Sequence, residues 1–215
     1  INRADYDINK LLSKVRPYKN SIVLGHSRLI TNGLGDNQPV VRGKIAAIHN
    51  GTIVNEDEVW ANLSVKRLLN IDSELIVAIA QEHLSFNKQI DELPSVILSM
   101  CKGVIACAMV LPEQGKLLLF SNNGSLYIGE CEGKTYFASE RYGLQLINCN
   151  NIVQIKEEYK IIDIPNSSSE FNIVDEKSRI ENLIPEFKFN TIEEGLLLYE
   201  KNDIKRCTKC ILPET

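Results

Sequence analysis

The chain has 215 residues, with 24 Lys+Arg against 28 Asp+Glu, a net charge of -4 and a pI near 5.5. Hydrophobic residues at 44% and charged residues at 24% are ordinary globular values, which excludes wholesale disorder. The acidic balance argues against a nucleic-acid partner, and no apolar run reaches the roughly 18 residues of a membrane span.

Taken in chain order, strands are predicted over Ile22–His26 and Ile45–Asn50. A short helix follows at Glu56–Leu63. Ser73–Leu84 is a stronger helix, because Leu75, Ile76, Ile79, Ala80 and His83 fall at helical spacing and Asp72 stands where an N-cap would. A third helix is predicted over Gln89–Met100, with Pro94 tolerated only near its first turn or as a kink. Strand-length runs then recur at Val104–Leu111, Lys116–Ser121, Leu126–Cys131, Lys134–Ala138 and Ile152–Ile164. Asn122–Ser125 and Glu132–Lys134 have hairpin chemistry, so Val104 to Ile164 is expected to form an antiparallel meander. After Pro165 the composition shifts: Asn166–Ser169 reads as a loop, and Ile173–Lys188 is charged and weakly periodic. Thr191–Glu194 has the form of a capping box opening a helix to about Glu200. The pattern is mixed α/β with mostly antiparallel strands.

Six cysteines are spread over the chain, at 101, 107, 131, 149, 207 and 210. The first four lie in apolar or strand-like surroundings and read as buried thiols of a reducing compartment. Ile1–Lys10 has no apolar middle and reads as no signal peptide, so the expected location is cytoplasmic.

Three polar clusters stand at strand ends or helix starts. Gly25-His26-Ser27-Arg28-Leu29 follows an apolar strand; Arg28 there is either a surface ion-pair partner or a two-pronged clamp for a carboxylate. His49-Asn50-Gly51-Thr52 reads first as a hairpin turn between two apolar runs. Such a turn also presents a side-chain amide beside a backbone N–H, the pair that stabilises the oxyanion of acyl transfer. Asp72-Ser73-Glu74 is either a helix cap or an acceptor for a ligand ammonium group. Together these supply an anion clamp, an oxyanion hole and a cation acceptor, a set that suits an amino acid attacked at its side-chain carbonyl.

The combination resembles the class II glutamine amidotransferase domain. Gly25–Leu29, Asp36-Asn37-Gln38-Pro39, His49–Asn55 and Asp72-Ser73-Glu74 occur in the order and near the spacing of that family, over roughly Ser21 to Leu146. Phe137-Ala138-Ser139-Glu140 resembles a segment of its asparagine synthetase branch. The resemblance implies an α+β fold of N-terminal-nucleophile hydrolase type, a four-layer α/β/β/α sandwich with antiparallel sheets, incomplete at its N-terminus. It also implies hydrolysis of glutamine to glutamate and ammonia, with ammonia passing to a fused synthetase domain. By position, Arg28 would hold the glutamine α-carboxylate and Asp72 its α-ammonium. The Asn50 side chain and Gly51 N–H would form the oxyanion hole, and Ile30 and Thr31 would line the pocket. No cofactor is implied in this domain; ATP and Mg would belong to the synthetase domain.

The family's nucleophile is an N-terminal cysteine whose own α-amine is the base. Here residue 1 is Ile, and Arg28 has only 27 residues ahead of it, fewer than the family places there. The expectation is a glutaminase core over 1–165, a connecting segment with a helix over 166–206, and the start of a synthetase domain at 207–215. It would bind glutamine poorly and leave it unhydrolysed. Cys207-Thr208-Lys209-Cys210 resembles the opening of the synthetase domain in N-acetyl sugar amidotransferases, and holds at most half of a zinc site. The expected partners are glutamine and that domain, with a homodimer left open. Two other classes are carried: a glutamine-sensing or docking module without catalysis, and a zinc adaptor needing two further ligands beside Cys207 and Cys210, with His26, His49 and His83 as its histidine candidates. His26 and His49 are expected to make structural hydrogen bonds beside the pocket.

Overall fold

The computed structural model describes residues 22–27 and 38–164, all within one unit that spans Asn2–Phe171. A short strand β1 (Val40–Arg42) leads into β2 (Ile45–Ile53), then helices α1 (Glu56–Trp60), α2 (Ser73–Ser85) and α3 (Leu93–Met100). The predicted third helix begins as a single 3-10 turn at Ile90–Glu92, and Pro94 falls in the first turn of α3, where its missing N–H costs nothing. Strands β3 (Gly103–Leu111), β4 (Lys116–Ser121), β5 (Tyr127–Cys131) and β6 (Lys134–Ala138) follow. Helix α4 (Arg141–Leu146) and strands β7 (Asn150–Gln154) and β8 (Glu158–Asp163) complete the described chain.

Two antiparallel sheets result, one in the order β1-β2-β3-β4-β8 and one in the order β6-β5-β7. Both faces of the first sheet are covered, which is why β3 is buried from Ile105 to Leu111. One face meets α2 and α3 through Leu75, Ile76, Ile79, Leu93 and Ile97, packed on Cys107, Met109, Leu118 and Phe120. The other face, Ala106, Ala108, Val110, Leu117 and Leu119, packs on Leu126, Ile155, Ile128 and Phe137 of the second sheet and its connections. Three layers are thus seen among the described residues: helices, first sheet, second sheet.

Several expectations are corrected. Val104 to Ile164 is no meander, because β4 and β5 belong to different sheets. At Asn122–Ser125 the Ser121 hydroxyl accepts the N–H groups of Asn123 (3.2 Å) and Gly124 (2.9 Å), and the chain crosses over instead of returning. Ile152–Ile164 is two strands, β7 on the second sheet and β8 on the first, broken where Glu157 takes a positive φ of 53°. The Glu132-Gly133 hairpin holds, with both residues at positive φ. No strand is assigned to Ile22–His26, although Ile22 and Leu24 alternate inward onto the inter-sheet core. The loop, charged stretch and helix predicted after Pro165 lie outside the described residues.

Candidate functional site

The site is built on one strand, β2. In an antiparallel ladder alternate residues turn their N–H and C=O to one neighbour and the next residues to the other. Ile105, opposite Gly51, uses both backbone groups on the β4 side: its N–H goes to Asn122 Oδ1 at 2.8 Å and its C=O accepts from Asn122 N–H at 3.0 Å. Gly51 therefore faces away from β3, toward the side where β1 pairs with Ile45 and Ala47 and then ends. Beyond that end, side chains replace a strand. Gln38 donates Nε2 to the His49 carbonyl at 2.8 Å and accepts the His49 N–H at 2.5 Å. Two residues past Gly51, the Asp72 carboxylate accepts the Ile53 N–H at 3.1 Å. The N–H of Gly51 lies between these two and faces the same edge, which no strand among the described residues pairs at that point.

This corrects the reading of Asn50-Gly51 as a turn: both lie inside β2, paired with Ala106 and Ile105. The glycine is required for another reason. A Cβ at Gly51, where φ is 146°, would stand 1.9 Å from the Val104 carbonyl oxygen and 2.9 Å from the His49 ring. The Asn50 side chain projects from the opposite side of the sheet to His49 and lines a cavity of about 230 Å³ between the two sheets. Gly25, His26, Ser27, Phe137, Ala138 and Ser139 line the same cavity. Segments far apart in sequence, one quoted above for Arg28 and one for the Phe-Ala-Ser-Glu string, thus meet at Asn50.

Asp72 does not cap α2. Its backbone is helical (φ -58°, ψ -34°) and its side chain makes no cap hydrogen bond, reaching to β2 instead. The carboxylate keeps 13% exposure. His49 stands beside it, buried against α2. Its Nε2 lies 3.1 Å from the Val104 carbonyl, which can only accept, so Nε2 carries the proton and Nδ1 accepts. Ser73 Oγ is 3.2 Å from that Nδ1 and 3.3 Å from Asp72 Oδ1, and its single proton goes to one of them. Burial lowers the His49 pKa below its ordinary 6.5, with the Asp72 charge and the Val104 carbonyl opposing. The neutral ring, 4.0 Å from Asp72 Oδ2, is a spacer and hydrogen-bond partner and not an ion-pair member.

Of the residues expected at the site, Asn50, Gly51 and Asp72 are described and meet along the C-terminal half of β2. Arg28, Ile30 and Thr31 lie outside the described residues, as do Cys207 and Cys210. His49 makes the structural hydrogen bonds expected of it. Among the described residues no cluster of three or more His, Cys, Asp or Glu could hold a metal ion, and no helix is long and apolar enough to cross a membrane. Cys101, Cys107 and Cys149 are buried free thiols. Burial pushes the Cys101 thiol up to about 12 and raises Cys107 and Cys149 as well. None of these three has the lowered pKa of a nucleophile. Sequence reasoning gave no role to Gln38, Ser73 or Phe137. Gln38 was within reach, since a long amide two residues before a short strand can carry that strand's pairing one step further.

A family model for the glutamine amidotransferase domain matches residues 26–145, more than half of the chain. The chain belongs to the glutamine amidotransferase domain family. The described residues expected at the site, Asn50, Gly51 and Asp72, all fall inside the match. Among solved structures, the glutamine phosphoribosylpyrophosphate amidotransferase of B. subtilis, complexed with ADP and GMP, superposes with a TM-score of 0.52 at 21% identity. The superposition covers 66% of this chain and 34% of that one, so the amidotransferase domain spans about a third of that enzyme's length. A predicted glutamine amidotransferase from Pseudomonas aeruginosa gives a TM-score of 0.41 at 15% identity, over 64% of this chain and 66% of that one. The first similarity speaks to fold alone, and agrees with the expected N-terminal-nucleophile hydrolase architecture. No curated protein matches the chain.

Proposed function

We propose that this is the glutaminase domain of a class II, ATP-dependent amidotransferase, which hydrolyses glutamine to glutamate and supplies ammonia to a fused synthetase domain. One observation carries the reading: along β2 the Asn50 side chain lines the cavity between the sheets, the Gly51 N–H faces the edge beyond β1, and the Asp72 carboxylate accepts the nearby Ile53 N–H. A side-chain amide and the next residue's N–H suit an amide carbonyl that becomes an oxyanion, and a carboxylate near them suits the α-ammonium. Arg28, the carboxylate clamp in this reading, and the pocket residues Ile30 and Thr31 complete the glutamine site.

In this reading the nucleophile is a cysteine thiol activated by its own free α-amine. An N-acetyl sugar acceptor is favoured by the Cys207–Cys210 string, where zinc would need two more ligands; an asparagine synthetase-like acceptor is favoured by Phe137–Glu140. ATP and Mg belong to the synthetase domain. The free, buried thiols support a cytoplasmic location.

The test is Asn50→Ala in the full-length protein. Glutamine-dependent kcat should fall about 10²-fold or more while activity with added ammonia stays nearly intact. An unchanged glutamine-dependent kcat removes Asn50 from the oxyanion hole, and equal loss with both nitrogen sources marks misfolding. A wild-type protein that binds glutamine and never hydrolyses it replaces the enzyme reading with the sensing module.

A further inference from the structure

A second carboxylate stands two residues from Asp72 and points elsewhere. Glu74, in the first turn of α2, is fully buried. It accepts from the Arg42 guanidinium at the end of β1, from Leu68 N–H at 3.0 Å and from Leu69 N–H at 2.7 Å. Arg42, itself 8% exposed, also donates to the Lys66 carbonyl at 3.0 Å and to Gln81 Oε1 at 3.0 Å. One ion pair therefore ties β1 and α2 to Lys66–Leu69, a stretch without helix or strand that runs straight into Asp72.

Stability alone does not account for this arrangement. Apolar residues of similar volume often serve as well as a buried ion pair, or better. What they cannot do is receive two backbone N–H groups and offer a donor to a backbone carbonyl. The pair fixes the course of a chain segment, and that segment delivers the Asp72 carboxylate to the Ile53 N–H across the sheet edge.

We propose that Glu74, held by Arg42, is a positioning residue for Asp72 and thereby sets the affinity for the α-ammonium group of the substrate. This rests on the reading of Asp72 given above. Glu74→Gln puts an NH2 group where the carboxylate faced donors only, so the segment must shift. In the full-length protein the glutamine KM should rise about tenfold or more, with kcat within about twofold. Arg42→Met/Glu74→Leu restores packing without the backbone bonds, and keeps the question open to test where the single variant fails to fold. Its melting temperature should recover to near wild type while KM stays raised.

A wild-type KM in the folded double variant, or a lowered melting temperature with unchanged KM in Glu74→Gln, overturns the proposal. Asp72→Asn, measured alongside, separates the two failures. An unchanged KM there overturns the reading of the ammonium subsite, and this inference with it. A raised KM there beside an unchanged KM in Glu74→Gln overturns the positioning role alone.

Discussion

His49 is a buried polar ring that the fold has to keep neutral. Its ring spans from β3, through the Val104 carbonyl, to Ser73 on α2, so it joins the sheet to the helix at the level of Gly51 and Asp72. Protonation would force Nδ1 to donate, turn the Ser73 hydroxyl toward Asp72, and place a charge in a dry site. The sign of the pH effect follows from the lowered pKa. Below the ordinary value of 6.5 the unfolded chain takes up a proton that the folded ring refuses, so stability falls as pH drops. The fall ends at the folded-state pKa, and its slope is at most about 1.4 kcal/mol per pH unit. Urea melts between about pH 7 and about pH 5 should show this slope in the wild type and lose it in His49→Gln, which keeps one donor and one acceptor. Parallel slopes in the two proteins would place the titration elsewhere.

At the scale of elements, β2 and β3 are held in register by close backbone approach as much as by side chains. Gly51 and Gly103 have positive φ, and a Cβ on either would meet a carbonyl of the facing strand near 2 Å, Val104 and Thr52 respectively. Backbone atoms cannot swing aside as a side chain can. Gly51→Ala should therefore cost on the order of 3 kcal/mol in chemical denaturation, whereas Gly133→Ala in the β5–β6 hairpin, with open space around it, should cost only about 1 kcal/mol. Equal losses would show that the β2–β3 pair relaxes around the new methyl. The same elements show how amide side chains finish a ladder. Gln38 pairs with His49 beyond the end of β1, and Asn122 pairs with Gly103 and Ile105 beyond the end of β4. Each carries the ladder past the last residue of its strand by side-chain hydrogen bonds.

For the whole molecule, burial is unequal between the two sheets. The first sheet lies between the helices and the second sheet, while β5, β6 and β7 are half-buried or exposed at most positions. Opening of the second sheet would expose far less apolar surface than opening of β3 and β4. Hydrogen exchange should accordingly find the slowest amides in β3, β4 and α2 and faster ones in β5 and β7. Protection that is uniform across both sheets would mean that they open only together.

Much of this was legible in the sequence. Helical spacing located α2 to within a residue, because Leu75, Ile76 and Ile79 have to face one core. The runs of β3 and β4 were found because strands covered on both faces are apolar without alternation. The ordered motifs around Arg28, Asn50 and Asp72 pointed to glutamine chemistry before any geometry. Sequence could not show that Asn50-Gly51 stays inside a strand, since the same dipeptide makes a turn wherever no neighbouring strand claims it. Nor could it tell that β4 leaves one sheet for the other, that Ile152–Ile164 is divided between them, or that Asp72 turns from its helix to β2. Each of these depends on a partner distant in the chain: Val104 over Gly51, Ile53 before Asp72, Arg42 under Glu74. Local propensity thus determined which residues form helices and strands here. Among the described residues, tertiary contacts alone decided which strand edges are paired and where β2 passes beyond its neighbour β1.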